Sequence, residues 1–153
     1  NGLIDAYDIS VVATQLGGGA DGTRGEKVTG NIHISTSKRT YSKGETVEVM
    51  VKGSDMHLVN ALSFALPYNP ADYEFIGIQP LSMKEMENFT NDRLHTNGTK
   101  ALYPTFVNVG EHETIEGNCN LFIIKFIARR NITFDLKATD GFLVDKMLNT
   151  CRF

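Results

Sequence analysis

Thr46 to Lys52 alternates strictly, with Val47, Val49 and Val51 set against Glu48, Met50 and Lys52. That period of two is the mark of a half-buried strand. Similar runs follow at Leu58 to Tyr68, Tyr73 to Ile78, Lys100 to Val109, Asn120 to Ala128, Ile132 to Ala138 and Phe142 to Val144. Turn signals separate them, at Ser42-Lys43-Gly44, Asn69-Pro70, Asn97-Gly98 and Asp140-Gly141. Many short strands without a βαβ rhythm predict a mainly β fold, a sandwich of two sheets. Leu81 to Arg93, carrying Met83, Met86, Glu87 and Phe89, interrupts the series and reads as a turn of helix or a covering loop.

The period changes near the start of the chain. Ile9, Val12, Ala13 and Leu16 recur at helical spacing, which predicts one N-terminal α-helix from Ala6 to about Leu16. Asp5 is placed to cap it, Asp8 lies in its first turn, and Gly17-Gly18-Gly19 ends it. A helix of about eleven residues is marginal alone in water, so its apolar face needs a partner. The division expected is residues 1–17 as a loop and helix, 18–27 as a Gly-rich linker, and 28–153 as the sandwich. The linker spans roughly 30 Å if extended, enough for the helix face of Ile9, Val12 and Leu16 to reach its own sandwich or a neighbour's.

Two strands carry more apolar residues than one core face needs. In Leu121 to Ala128, Phe122, Ile124 and Phe126 share one face, while Leu121, Ile123 and Ile127 flank Lys125 on the other. In Leu58 to Tyr68, Leu58, Leu62, Phe64 and Leu66 share one face, and Ala61, Ser63 and Ala65 make the other flat and small. An outer sandwich face should alternate to polar. A flat apolar patch is what a docking helix requires.

Composition narrows the function. The 153 residues carry a net charge of −3, and no basic block is present to neutralise phosphates, which argues against a nucleic-acid partner. No apolar run approaches the roughly 18 residues of a membrane-spanning helix. Cys119 and Cys151 fit either one disulfide tying down the chain end or two free thiols, the blander expectation. His33, His57, His95 and His112 lack metal spacing, and Glu111-His112-Glu113 reads as a solvated loop tip. Asp72, Glu74, Glu85 and Glu87 show no sign of a catalytic pairing, and no G-x-S-x-G surrounds Ser54 or Ser63. The chain is not expected to be an enzyme. With no Trp, sugar stacking would fall to Tyr41, Tyr68, Tyr73 or Tyr103, which occupy strand positions a core can use. Asn88, Asn97 and Asn131 each begin an N-x-T triplet, a pattern short enough to arise by coincidence.

Asn1 to Asp8 has the spacing of the latter part of an EF-hand-type loop. With Gly2 at position 6, Asn1 falls at 5, the Leu3 carbonyl at 7, Asp5 at 9 and Asp8 at 12. Loop positions 1 and 3 would precede Asn1, so the chain reads as a piece of a larger modular protein. Calcium needs six to eight oxygens, so the partial set Asn1, Leu3, Asp5 and Asp8 is expected to hold it weakly at most, and a metal-free loop shaped by Gly2 with Asp5 as a cap is the favoured reading.

Asn1-Gly-Leu-Ile-Asp-Ala-Tyr-Asp-Ile resembles the second calcium-loop half of a dockerin. Tyr41-Ser-Lys-Gly-Glu-Thr-Val-Glu-Val, Val59 to Pro70 followed by Tyr73 to Ile78, and Leu121 to Ala128 resemble, in order, motifs of the cohesin-like sandwich family. The likeness runs from about Val28 to Asn149 and is weakest over Gln79 to Gly98. It implies a cohesin-like or carbohydrate-binding-module-like β-sandwich (a jelly roll) in an extracytoplasmic bacterial protein of carbohydrate metabolism. It also implies a non-catalytic role in binding a dockerin-type helix, in cis or in trans. Ala6 and Tyr7 would be the recognition pair of the dockerin half. The strands with Ala61, Ser63 and Ala65 and with Leu121, Ile123 and Ile127 would be neighbours in the sheet that receives the dockerin. The alternative role is a carbohydrate-binding module that targets a parent glycoside hydrolase to polysaccharide.

Overall fold

Val47, Val49 and Val51 are completely buried while Glu48 and Lys52 stay exposed, in a computed structural model that describes Ala6, Ile9 and residues 27–94 and 98–153. The described strands are β1 (Thr29–Ser35), β2 (Thr40–Tyr41), β3 (Thr46–Val59), β4 (Ala61–Tyr68), β5 (Tyr73–Pro80), β6 (Glu87–Asn88) and β7 (Asn91–Leu94). They continue with β8 (Lys100–Tyr103), β9 (Thr105–Val107), β10 (Ile115–Ala128), β11 (Ile132–Thr133), β12 (Thr139–Val144) and β13 (Thr150–Arg152). One sheet has the order β1-β3-β10-β5. The facing sheet follows β13-β12-β4-β8-β7, with β9 joining β4 to β6, and β2 pairs with β11 in a small ribbon. All these pairings are antiparallel. The expected two-sheet sandwich is therefore present.

The core between the sheets is aromatic. Phe122 on β10 stacks with Phe106 on β9 at 4.8 Å between ring centroids and with Phe64 on β4 at 6.2 Å. Phe126 is met edge-on by Tyr68, Tyr73 and Phe75. Such contacts add to the area each ring buries. The tyrosine hydroxyls still find acceptors, Tyr68 donating to Asp92 at 2.7 Å and Tyr73 to Asp135 at 3.3 Å. Burial, reinforced by the Asp135 charge, pushes the Tyr73 phenol up to about 12.

Three sequence expectations need correction. First, β3 does not stop at Lys52 but bends on to Val59 against the equally long β10. Asp55 and Leu58 take left-handed φ values of 51° and 59° at the bend, a conformation that costs an L-residue energy unless its surroundings fix it. Side chains of β10 do so. The Asp55 N–H donates to Asn118 Oδ1 and the Leu58 N–H to Glu116 Oε2, both at 2.8 Å. Gly30, at φ 146°, lets Met56 fill the inside of this bend, because a Cβ there would lie 2.5 Å from the Met56 sulfur. Second, of the two readings of Leu81 to Arg93 the covering loop holds for residues 81–86, and β6 and β7 take up most of the rest. Turns closed by Lys84 N–H to Leu81 O and Met86 N–H to Met83 O press Met83 and Met86 into the core. Third, Leu121 is not on the outer face. The register between β10 and β3 shifts between Asn120 and Phe122, and this bulge turns both Leu121 and Phe122 inward, each with no exposed surface. Cys119 and Cys151 are free thiols.

Candidate functional site

The small residues of β4 line the floor of a shallow trough. Ala61 pairs with Val107 of β9 on one side and Val144 of β12 on the other. One row further along, Ser63 lies between Thr105 and Phe142 in the same way. Side chains alternate along a strand, so Leu62, Phe64 and Leu66 enter the core while Ala61, Ser63 and Ala65 point outward. A short central side chain between longer neighbours leaves a depression in the sheet surface.

This outward face is nevertheless buried. Ala61, Val107 and Val144 have no exposed surface, and Ser63, Ala65 and Thr105 are buried with them. Ala6, whose backbone is helical, is also fully buried and clusters with Ala61, Val107 and Val144. Ile9, likewise helical and one turn further on, packs half-buried against the same cluster with Val109, Phe142 and Leu148. Thus Ala6 and Ile9 from the N-terminal set meet Ala61 from the sandwich set.

Buried polar groups frame the trough. Beside Ala61 and Val107, Asn108 Nδ2 donates to Asn60 Oδ1 at 3.0 Å. The Asn60 N–H donates to Val144 O and the Asn108 N–H to Asn60 O, tying three strands together at this end. Beside Val144, the buried carboxylate of Asp145 accepts from the N–H groups of Met147 and Asn149 at 2.9 Å each and from the Asn149 side chain. These bonds shape the loop that carries Leu148. The second oxygen of Asp145 accepts from the Val28 N–H at 3.1 Å, which pins the point where the chain enters the sandwich.

The two strands expected to be neighbours are in different sheets, β10 between β3 and β5, and β4 between β12, β8 and β9. Ile123 and Ile127 are half-buried on the outer side of the four-stranded sheet, opposite Met50 and Thr46 of β3. They do not join Ala61, Ser63 and Ala65. Asn1, Leu3, Asp5, Asp8, Tyr7, Val12 and Leu16, and with them the partial calcium loop and most of the helix and linker, lie outside the described residues. Sequence reasoning missed Val107, Phe142, Val144 and Leu148 as parts of the site. Val107, Phe142 and Val144 fall in runs read as strands, but only the register shows which residues flank Ala61.

Elsewhere the polar residues singled out in the sequence are exposed or held in local contacts. Glu111, His112 and Glu113 are exposed on a loop beside a cavity of about 450 Å3 that Glu85 also lines. No three His, Cys, Asp or Glu side chains among the described residues converge as metal ligands. Asp72 pairs with Arg130, and Glu74 with Arg129 at 3.7 Å. Tyr41, Tyr68 and Tyr73 are buried rather than offered to a sugar. His57 Nδ1 lies 2.7 Å from Glu116 Oε1. Partial burial alone would raise the Glu116 carboxyl, but hydrogen bonds from Thr114, the Leu58 N–H and His57 outweigh it and hold the group below its ordinary value.

No protein-family model matches the sequence, and no curated protein matches it. Solved structures do match the fold. The cohesin module of a family 33 glycoside hydrolase from Clostridium perfringens ATCC13124 superposes with a TM-score of 0.60 at 15% identity, over 83% of this chain and 90% of that one. The sixth cohesin of scaffoldin B from Acetivibrio cellulolyticus, solved with a Cel5 dockerin, gives 0.59 at 16% identity, over 79% and 89%. A type II cohesin domain from the cellulosome of Acetivibrio cellulolyticus gives 0.59 at 13% identity, over 80% and 88%. The described chain is a cohesin-like β-sandwich.

Proposed function

We propose that this chain is a non-catalytic docking module that receives a dockerin-type helix on the outer face of β4, β9 and β12. The observation that carries this reading is the seat of Ala6: a helical residue is buried completely on Ala61, Val107 and Val144. A face built this way accepts a helix backbone at close range, because Ala61 and Ser63 present little more than a Cβ. Cohesins of the same fold have been solved in complex with dockerins, which supports a dockerin as the partner in trans. In this reading the module joins or spaces parts of an extracytoplasmic carbohydrate-active protein.

Calorimetry of the full chain against the complete dockerins found with those cohesins tests the reading. Binding is expected, with at least a tenfold loss in Ala61→Arg, whose long charged side chain fills the trough. Ile123→Asp, on the opposite sheet, is expected to bind like wild type. No binding by any dockerin, or equal loss from both substitutions, would overturn the assignment of this face.

A further inference from the structure

The docking face is already occupied in the chain itself. We infer that the segment carrying Ala6 and Ile9 is a built-in competitor for this face, so that a partner helix binds by displacing it. The inference rests on the docking reading above and adds regulation to it.

Five observations carry it. Ala6 has no exposed surface, so its contact with Ala61, Val107 and Val144 is a seat and not a glancing touch. Ile9 adds a second contact on the same cluster at helical spacing. Val28 is anchored by its N–H to Asp145 in the loop that also carries Leu148, one wall of the seat. The tether therefore starts beside the face that the segment fills. The stretch between Ile9 and Val28 is about nineteen residues, with a reach of roughly 60 Å if extended, so the segment can leave without disturbing the sandwich. Finally, Ala6 and Ile9 bury few apolar groups compared with the aromatic core, which places their release among local openings and not global unfolding.

A tethered competitor acts at an effective concentration of about 1 mM. A segment that holds its seat with a dissociation constant of about 0.1 mM then weakens a competing partner by about tenfold.

Methyl NMR on the full-length chain tests this. Ala6→Arg is expected to move the methyl signals of Ala61, Val107 and Val144 and to leave those of Val47 and Val49 in the core in place. Ile9→Asp should do the same more weakly. A complete dockerin should bind Ala6→Arg about tenfold more tightly than it binds wild type. Unmoved Ala61, Val107 and Val144 methyls, or equal dockerin affinities, would overturn self-competition, and the docking face would then stand or fall on the loss of dockerin binding in Ala61→Arg. A dimer mass by light scattering, with methyl shifts that revert on dilution, would place the segment on a second copy and also overturn it. If no dockerin binds Ala6→Arg, the docking reading fails separately. A peptide of residues 1–16 then decides the self-contact: it is upheld if the peptide restores wild-type shifts to Ala6→Arg and overturned if it does not.

Discussion

The two outer faces of the sandwich are built from the same strand period and end in opposite states. On the four-stranded sheet, Met50 opposes Ile123, Glu48 opposes Lys125, Ile127 opposes Thr46 and Glu74, and Ile76 on the edge is 50% exposed. On the other sheet, the row Val107, Ala61, Val144 has no exposed surface at all. Both faces carry large apolar side chains, yet only the second is covered. Side-chain size separates them. Isoleucines and methionine interspersed with Glu48, Lys52 and Lys125 hold a neighbouring backbone at a distance, and the charges would lose their water if one came closer. Alanine and serine between valines let a backbone in. An apolar surplus thus identifies a covered face less well than a floor of small residues does.

Both faces rest on one core, and that core should fail first. Phe122→Ala removes the ring stacked between Phe64 and Phe106 and is expected to cost about 3–5 kcal/mol in urea denaturation. A loss below about 1 kcal/mol would mean the sheets do not share a core at this ring. The next largest effect separates the faces. Ala61→Phe overfills a seat already occupied by Ala6 and should cost about 1–3 kcal/mol. Ile123→Phe on the open face should stay within about 0.5 kcal/mol. Equal costs for the two would erase the contrast between a covered and an open face.

The strands that build both faces were legible in the sequence, but the contrast between the faces was not, and that has a physical reason. Period-two alternation located Val47, Val49 and Val51 in the core and separated Ala61, Ser63 and Ala65 from Leu62, Phe64 and Leu66. The helical spacing of the N-terminal residues predicted an apolar face in need of a partner, and Ala6 and Ile9 are seated on the sandwich. Bulges defeat the same logic. One extra residue at Leu121 puts it on the same side as Phe122 and breaks the alternation there, while Phe122 to Ala128 keep the faces read for them, and nothing in the residue types announces the shift. Non-local pairing was equally hidden. Val107 and Val144 flank Ala61 from far along the chain, so no window on the sequence contains the trough. The resemblance to cohesins indicated the fold, but it placed β4 and β10 in one sheet, which the strand order corrects.

The smallest effect concerns what locks each sheet at its irregular end. The Asn60 end of the trough is tied by Asn60 and Asn108, a neutral pair, whereas the bend of β3 depends on the Glu116 carboxylate at the Leu58 N–H. Because the folded protein holds the Glu116 carboxyl below its unfolded value, the stability it contributes is complete above the ordinary carboxylate range. It is lost as pH falls through the lowered value. The group is well exposed, so solvent screening limits the contribution to a few tenths of a kcal/mol. Between about pH 6 and pH 3 the Leu58 amide resonance should follow the protonation of its acceptor, while the Asn108 side-chain amide stays in place. Glu116→Gln keeps an oxygen to accept from Leu58 but has no proton to gain, so its urea midpoint should fall less steeply with acid than wild type. Identical acid slopes in the two proteins, or an Asn108 signal that moves with Leu58, would show that the two sheets are not locked by different chemistry.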